Sequence, residues 1–116
     1  MVAPLSGTMK TIDFKALARF SPDKMQKNSL LSTERLAADL YCFEPGQAQR
    51  SHKHDDADKI YFVLEGAGRF TIGRTTREFK GGAAVLVSAG EEHGVVNMGE
   101  ERLVLLAVMA PPSSKP

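Results

Sequence analysis

The chain contains three histidines, and the spacing of all three suits a single metal ion. His52 and His54 form an H-x-H pair in the stretch GQAQRSHKHDDADKIYFVLEG, and His93 follows in GAAVLVSAGEEHGVVN. Neutral imidazole is the commonest side-chain ligand for late first-row metals. Side chains at i and i+2 of a strand leave the same face, so His52 and His54 can converge on one ion. A third imidazole from another strand would complete a facial set and leave coordination positions open. An H-x-H pair by itself is equally at home on a solvated surface, so the elements around it decide.

Those elements read as β. From Arg35 onward the chain is a series of short apolar segments divided by turn residues. The segments 36–43, 60–64, 69–72, 75–79, 83–87, 95–96 and 103–108 end at or near Pro45-Gly46, Gly66, Gly73, Gly81-Gly82, Gly90 and Pro111-Pro112. Strands recurring every ten or so residues with glycine punctuation predict a sandwich or barrel. No segment in this region has the length and 3.6-residue period of an amphipathic helix. Before it, TIDF (11–14) is open to a strand reading and FKALARF (14–20) to a short helical turn ended by Ser21-Pro22. Residues 1–8 are expected to form a loose arm, 9–112 a single domain and 113–116 a tail.

Ile60, Phe62 and Leu64 alternate with Tyr61 and Val63, so this strand is apolar on both faces. One face can fill a barrel while the other packs on a second sheet or a second copy of the chain, which makes a homodimer the expectation.

Composition narrows the function. Of 116 residues, 42% are hydrophobic and 25% charged, ordinary for a globular protein. Fifteen basic against fourteen acidic residues leave no field that would hold a nucleic acid or an anionic membrane. The longest apolar run, 103–110, is too short to span a bilayer, and the first ten residues lack the apolar core of a signal peptide. The single cysteine, Cys42, excludes an intrachain disulfide and fits a reducing compartment. A cytoplasmic location is therefore expected. Within LYCF, Cys42 is expected to act as a small core residue.

The order of these pieces resembles the cupin superfamily. Its first motif reads G, five residues, H-x-H, three or four residues, E, six residues, G; here Gly46, His52, His54 and Gly66 fall in register. Its second reads G, five residues, P-x-G, two residues, H, three residues, N; here Gly82, Gly90, His93 and Asn97 fall in register. The resemblance implies an all-β double-stranded β-helix (a jelly-roll cupin barrel). It also implies a divalent transition metal (Fe, Mn, Ni, Cu or Zn) on His52, His54 and His93.

Two positions depart from the pattern: Ser88 stands for the motif proline, and Lys59 for the motif glutamate. The glutamate would be expected to join the imidazoles on the metal, which a protonated lysine cannot do. Three readings of Lys59 stay open: it points away, it points inward as an amine of lowered pKa, or it marks a barrel without metal. Asp58 carries a carboxylate but has the opposite strand parity, so it reaches the ion only through a bulge or from before the strand begins. Asp55 and Asp56 lie in the connecting loop and read as a solvated turn, with action on the ion through water as the alternative.

Three neutral ligands leave the metal's full charge uncompensated and favour an anionic, bidentate ligand. Some cupins similar to this chain at the histidines carry out dioxygenase chemistry with a three-histidine iron centre. The expected function is thus a small metal-binding cupin, with dioxygenase- or isomerase-type chemistry on a small anionic molecule. The alternative is a non-catalytic ligand-binding or sensing module, with or without a structural metal. Tyr61 and Val63 share the parity of Lys59 and should line the pocket, with Phe70 and Ile72 opposite. Lys59 and Tyr61 are the candidate catalytic residues. The plainer reading of Tyr61 is a core aromatic whose hydroxyl is satisfied at the barrel rim. Glu91 and Glu92 are expected at the mouth, and Asn97 is expected to fix a turn.

Overall fold

The structure, a computed structural model, describes residues 9–112. The arm and the tail expected at the two ends lie outside the described residues. A 3-10 turn, Phe14–Leu17, is followed by nine strands: β1 Gln26–Ser32, β2 Ala37–Phe43, β3 Ala48–His52, β4 Asp58–Glu65, β5 Ala67–Ile72, β6 Thr75–Lys80, β7 Ala84–Val87, β8 His93–Val96 and β9 Leu103–Ala110. The strands make a five-stranded sheet in the order β1-β2-β9-β4-β7 and a four-stranded sheet in the order β3-β8-β5-β6. Every pair is antiparallel.

The expected all-β double-stranded β-helix is what forms, and its core lies between the two sheets. Tyr41, Phe43, Tyr61, Val63, Val85, Val87, Leu103, Leu105 and Ala107 come from one sheet and meet Phe70 and Val95 from the other. The alternation read from residues 59–64 holds: Lys59, Tyr61 and Val63 are buried, while Ile60 and Leu64 are half-buried and Phe62 is exposed. Burial of alternate apolar side chains is what fixes a strand's register, since a slip of one residue would put the whole set in water.

Two strands escaped the sequence reading. β1 (QKNSLLS) and β3 (AQRSH) are polar, so an apolar alternation does not reveal them. Near the N-terminus the helical reading of 14–20 holds in part and the strand reading of 11–14 does not. Asp13 caps the 3-10 turn, its Oδ1 accepting from the Lys15 amide at 3.1 Å. This segment covers the back of the five-stranded sheet, where Ile12, Leu17, Ala18 and Phe20 pack on Leu30, Leu40, Cys42 and Val104. Cys42 is a core residue here, as expected.

Two glycines hold the strands where a side chain would not fit. Gly66, between β4 and β5, has φ +78°, and a Cβ on it would collide with the Arg102 carbonyl. At Gly94, next to His93, a Cβ would press on the β3 backbone, 3.2 Å from Gln49 O and from Ser51. The bare backbone lets β8 close on β3, and this brings His93 opposite His52.

Candidate metal centre

The three histidines meet at one end of the barrel. His52 is the last residue of β3 and His93 the first of β8, and the two are register partners. His54 lies beyond the end of β3, so the H-x-H pair converges across a strand terminus rather than along one strand as expected. The register of β3 on β8 also shifts between Gln49 and His52. That bulge is how Gln49, three residues earlier, faces the interior with the histidines.

Ring centroids are 4.2 Å apart for His52 and His93, 5.0 Å for His52 and His54, and 5.9 Å for His54 and His93. One ring nitrogen from each can be chosen so that all three lie within 4.8 Å of one another. The Nδ1 of His52 is 2.8 Å from the Arg50 carbonyl, and that of His93 is 3.0 Å from the Glu91 carbonyl. A carbonyl accepts only, so each Nδ1 carries the hydrogen and each Nε2 is left with a free lone pair. Those two Nε2 atoms are buried and have no hydrogen-bond partner. Buried polar atoms are normally satisfied. Bare imidazole nitrogens aimed at a common point suit a divalent transition metal, so the residues present fit the ion that the sequence implied.

Electrostatics keeps the rings neutral. Burial lowers the pKa of all three, that of His93 to about 4. The Arg50 and Glu91 carbonyls pull His52 and His93 partly back up, and the charge of Lys59 pushes all three down. A neutral imidazole is the form that binds metal.

Lys59 faces inward. It is 2% exposed, and its Nζ lies 5.1 Å from the centroid of the Tyr41 ring and 5.0 Å from that of Tyr61. The reading in which it points away is thereby set aside. Burial first, then the charge of Lys27, lower its pKa to about 7, against a smaller upward pull from Asp39. Its Nζ has no hydrogen-bond partner. Tyr61 is fully buried, its ring 6.0 Å from His93, and its hydroxyl donates to Gln49 Oε1 at 2.7 Å, bridging the two sheets. Burial raises the pKa of Tyr61 well above the ordinary value and that of Tyr41 as well. Phe70 is buried against Tyr61, 5.4 Å between centroids, with half-buried Ile72 packed on the same core.

Most of the acidic residues near the histidines are spent elsewhere, while the charge of exposed Asp56 pulls the pKa of His54 partly back up. Asp58 Oδ1 accepts from the Ala89 amide at 2.9 Å and ties β4 to the loop before His93. Asp55 lies 3.7 Å from exposed Lys53, as a solvated turn would have it. Glu92 accepts from Ser51 Oγ at 2.8 Å, and Glu91 accepts from the Ser88 amide at 2.9 Å. Proline at 88 has no N–H to give, so the departure from the motif supplies a loop hydrogen bond. Asn97 fixes a turn as expected: its Nδ2 reaches the carbonyls of Phe43 and Glu101, and its Oδ1 accepts from the Gly99 amide at 3.0 Å.

Sequence reasoning did not single out Lys27, Asp39, Tyr41 and Gln49. Lys27 is exposed on β1, 5.3 Å from the Tyr41 ring. Asp39 is half-buried on β2; burial lifts its carboxyl while Lys27 and Lys59 pull it down, with a net rise. The parity of β2 is a usable signal for Asp39 and Tyr41, whereas no periodicity marks Lys27 or Gln49. Between β1 and β3 a cleft of about 630 Å³ is lined by Lys24, Met25, Gln26, Lys27, Ala48, Gln49 and Arg50.

Fold and site together define a double-stranded β-helix barrel with a group of three histidines that could hold a metal. The chain belongs to the cupin domain family, whose model matches residues 39–109. It is 41% identical to the TT1209 protein of Thermus thermophilus, superposing on 89% of this chain and 98% of that one with a TM-score of 0.85. A protein with a double-stranded β-helix domain from Klebsiella pneumoniae is 23% identical, over 90% of this chain and 91% of that one, at a TM-score of 0.84. That likeness shows the fold. The oxalate-binding protein of Thermotoga maritima is 31% identical over 85 residues, 73% of this chain and 69% of that protein.

Proposed function

We propose that the protein is a metal-binding cupin that holds a divalent transition metal on His52, His54 and His93 and takes a small anionic organic molecule beside it. The observation carrying this reading is the pair of buried, unpartnered Nε2 atoms of His52 and His93, each fixed as the free nitrogen by a carbonyl on its Nδ1. Three neutral ligands cancel none of the ion's charge, and Lys27 and Lys59 add positive charge on the facing sheet. A small carboxylate suits such a site, and the Thermotoga relative is named for binding one. The metal, when bound, supplies Lewis-acid polarisation of the anion and open coordination positions. Lys59 and Tyr61 form the wall facing the imidazoles, where an amine and a phenol can hold or pass a proton.

Dioxygenase- or isomerase-type turnover is the enzymatic form of this reading, and binding without turnover is the second, favoured by the name of the Thermotoga protein. Both need the same site. Elemental analysis of untagged protein should give about one metal per chain, and His54→Ala should lose it. Calorimetric titration with oxalate should show binding to metal-loaded protein that falls at least about tenfold after chelation. Full metal retention in His54→Ala, or oxalate binding indifferent to chelation, would sink the proposal. Turnover of small carboxylates by the loaded protein then separates enzyme from binder.

We also propose a homodimer through the outer face of β4 and β7. Phe62 (37% exposed) and Leu86 (60% exposed) stand there with half-buried Ile60, the register partner of Leu86. A second copy would cover this apolar face.

A further inference from the structure

The Lys59 amine is not explained by the histidine site as it stands. Its Nζ is buried, has no acceptor, and shares the Tyr41 ring with a second amine, Lys27, at 5.1 and 5.3 Å from the centroid. A protonated Lys59 would be desolvated, repelled by Lys27, and repelled again by any cation on the imidazoles. A neutral Lys59 would leave a lone pair bare in the interior. The charge of Asp39 favours the protonated amine, but Asp39 is only half-buried and is shared with Lys27.

We propose that Lys59 is carboxylated by carbon dioxide, so that its Nζ-carbamate serves the three-histidine group as an anionic oxygen ligand. The step balances. The Nζ lone pair forms a C–N bond to the carbon of CO2, one C=O π pair moves onto oxygen, and one proton leaves nitrogen for solvent. Counted from the ammonium, two protons go to solvent, one to bare the lone pair and one after the addition, so a cation becomes an anion with no redox partner. The product pairs with Lys27 where the ammonium was repelled by it, and it offsets one of the two positive charges of a metal on the imidazoles.

Carbon dioxide is the electrophile that fits. It is linear and has three atoms, which suits an amine that is only 2% exposed. The new group extends the side chain by a C–N bond of about 1.33 Å and a C–O bond of about 1.23 Å. The amine and the imidazoles border the same aromatic: Lys59 Nζ is 5.0 Å from the centroid of the Tyr61 ring, and that ring is 6.0 Å from His93. The amine pKa of about 7, set by burial and Lys27, keeps a nucleophilic fraction present at neutral pH.

The inference rests on the metal-site reading above, and it assigns Lys59 to the metal, with Lys27 as the cation beside the carbamate. The test uses the full chain, stripped of metal and equilibrated with Zn²⁺ alone under ¹³C-labelled bicarbonate. A carbamate ¹³C resonance of one carbon per chain is expected in the wild type and absent in Lys59→Met; any terminal-amine signal remains in both. Zn²⁺ affinity of the wild type should fall about tenfold or more in CO2-free buffer. In Lys59→Glu, which carries its own carboxylate, affinity should not depend on CO2. Unchanged wild-type affinity without CO2, or no Lys59-dependent resonance at saturating bicarbonate, overturns the carboxylation and leaves the histidine site standing. If neither the wild type nor Lys59→Glu binds Zn²⁺ under any condition, both readings fall. Should Lys59→Met fail to fold, withdrawal of CO2 from the wild type decides the question by itself.

Discussion

A lysine at an inward strand position loses its hydration on folding, and Lys59 gains no hydrogen bond in return. Its pKa falls from 10.5 to about 7, so between those values the unfolded chain holds a proton that the folded chain does not. Stability then rises with pH across that window, by up to about 1.4 kcal/mol per pH unit, and the penalty is complete below it. In metal-stripped protein and CO2-free buffer, Lys59→Met should be more stable than the wild type at pH 7 and should flatten this rise. Urea unfolding at a series of pH values checks it, and an unaltered pH profile would mean that Lys59 reaches water. Tyr61 makes a second prediction. Tyr61→Phe leaves the buried Gln49 Oε1 without its donor, at a cost of about 1–3 kcal/mol by the same unfolding measurement. The histidines were legible because their residue type and spacing are specific, and Lys59 because parity with Tyr61 and Val63 places it inside. Gln49 was not, since the bulge before His52 breaks the parity that would have shown it.

At the scale of elements, most of the strands that could be read have apolar inward residues; β6 was read from its flanking glycines. β2, β4, β5, β7 and β9 carry the core, and their positions followed from alternation and glycine punctuation. β1 and β3 carry polar residues at the site, Lys27 in one and Gln49 in the other, so two of the strands that build it are hidden from hydrophobicity, while β4 and β8 were read. The turns are set by backbone geometry, and Gly66 is the sharpest case. Gly66→Ala must hold a left-handed backbone and move the Arg102 carbonyl, so we expect a loss of at least about 1–3 kcal/mol. A denaturation midpoint equal to that of the wild type would show that the β4–β5 turn relaxes freely.

For the molecule as a whole, two parts of the outer face of the five-stranded sheet have different fates. Part of its back is covered by the chain's own Ile12–Phe20 segment, and part, around Phe62 and Leu86, is left apolar and open. If the open part joins two copies, Leu86→Lys should give a monomer by light scattering at concentrations where the wild type is a dimer; a wild-type monomer would dismiss the interface. Among the described residues, no helix is long and apolar enough to cross a membrane. The covered part has another use. Cys42 is the chain's one thiol, and it lies beneath the Ile12–Phe20 segment; Asn28 Nδ2 reaches its sulfur at 3.4 Å and the Arg19 carbonyl at 3.2 Å. Burial also raises its pKa, which suppresses the reactive thiolate. A thiol reagent in solution therefore meets Cys42 only when that segment lifts. The rate of single-site labelling becomes a clock for the opening of the N-terminal flap, with the native protein as its own probe.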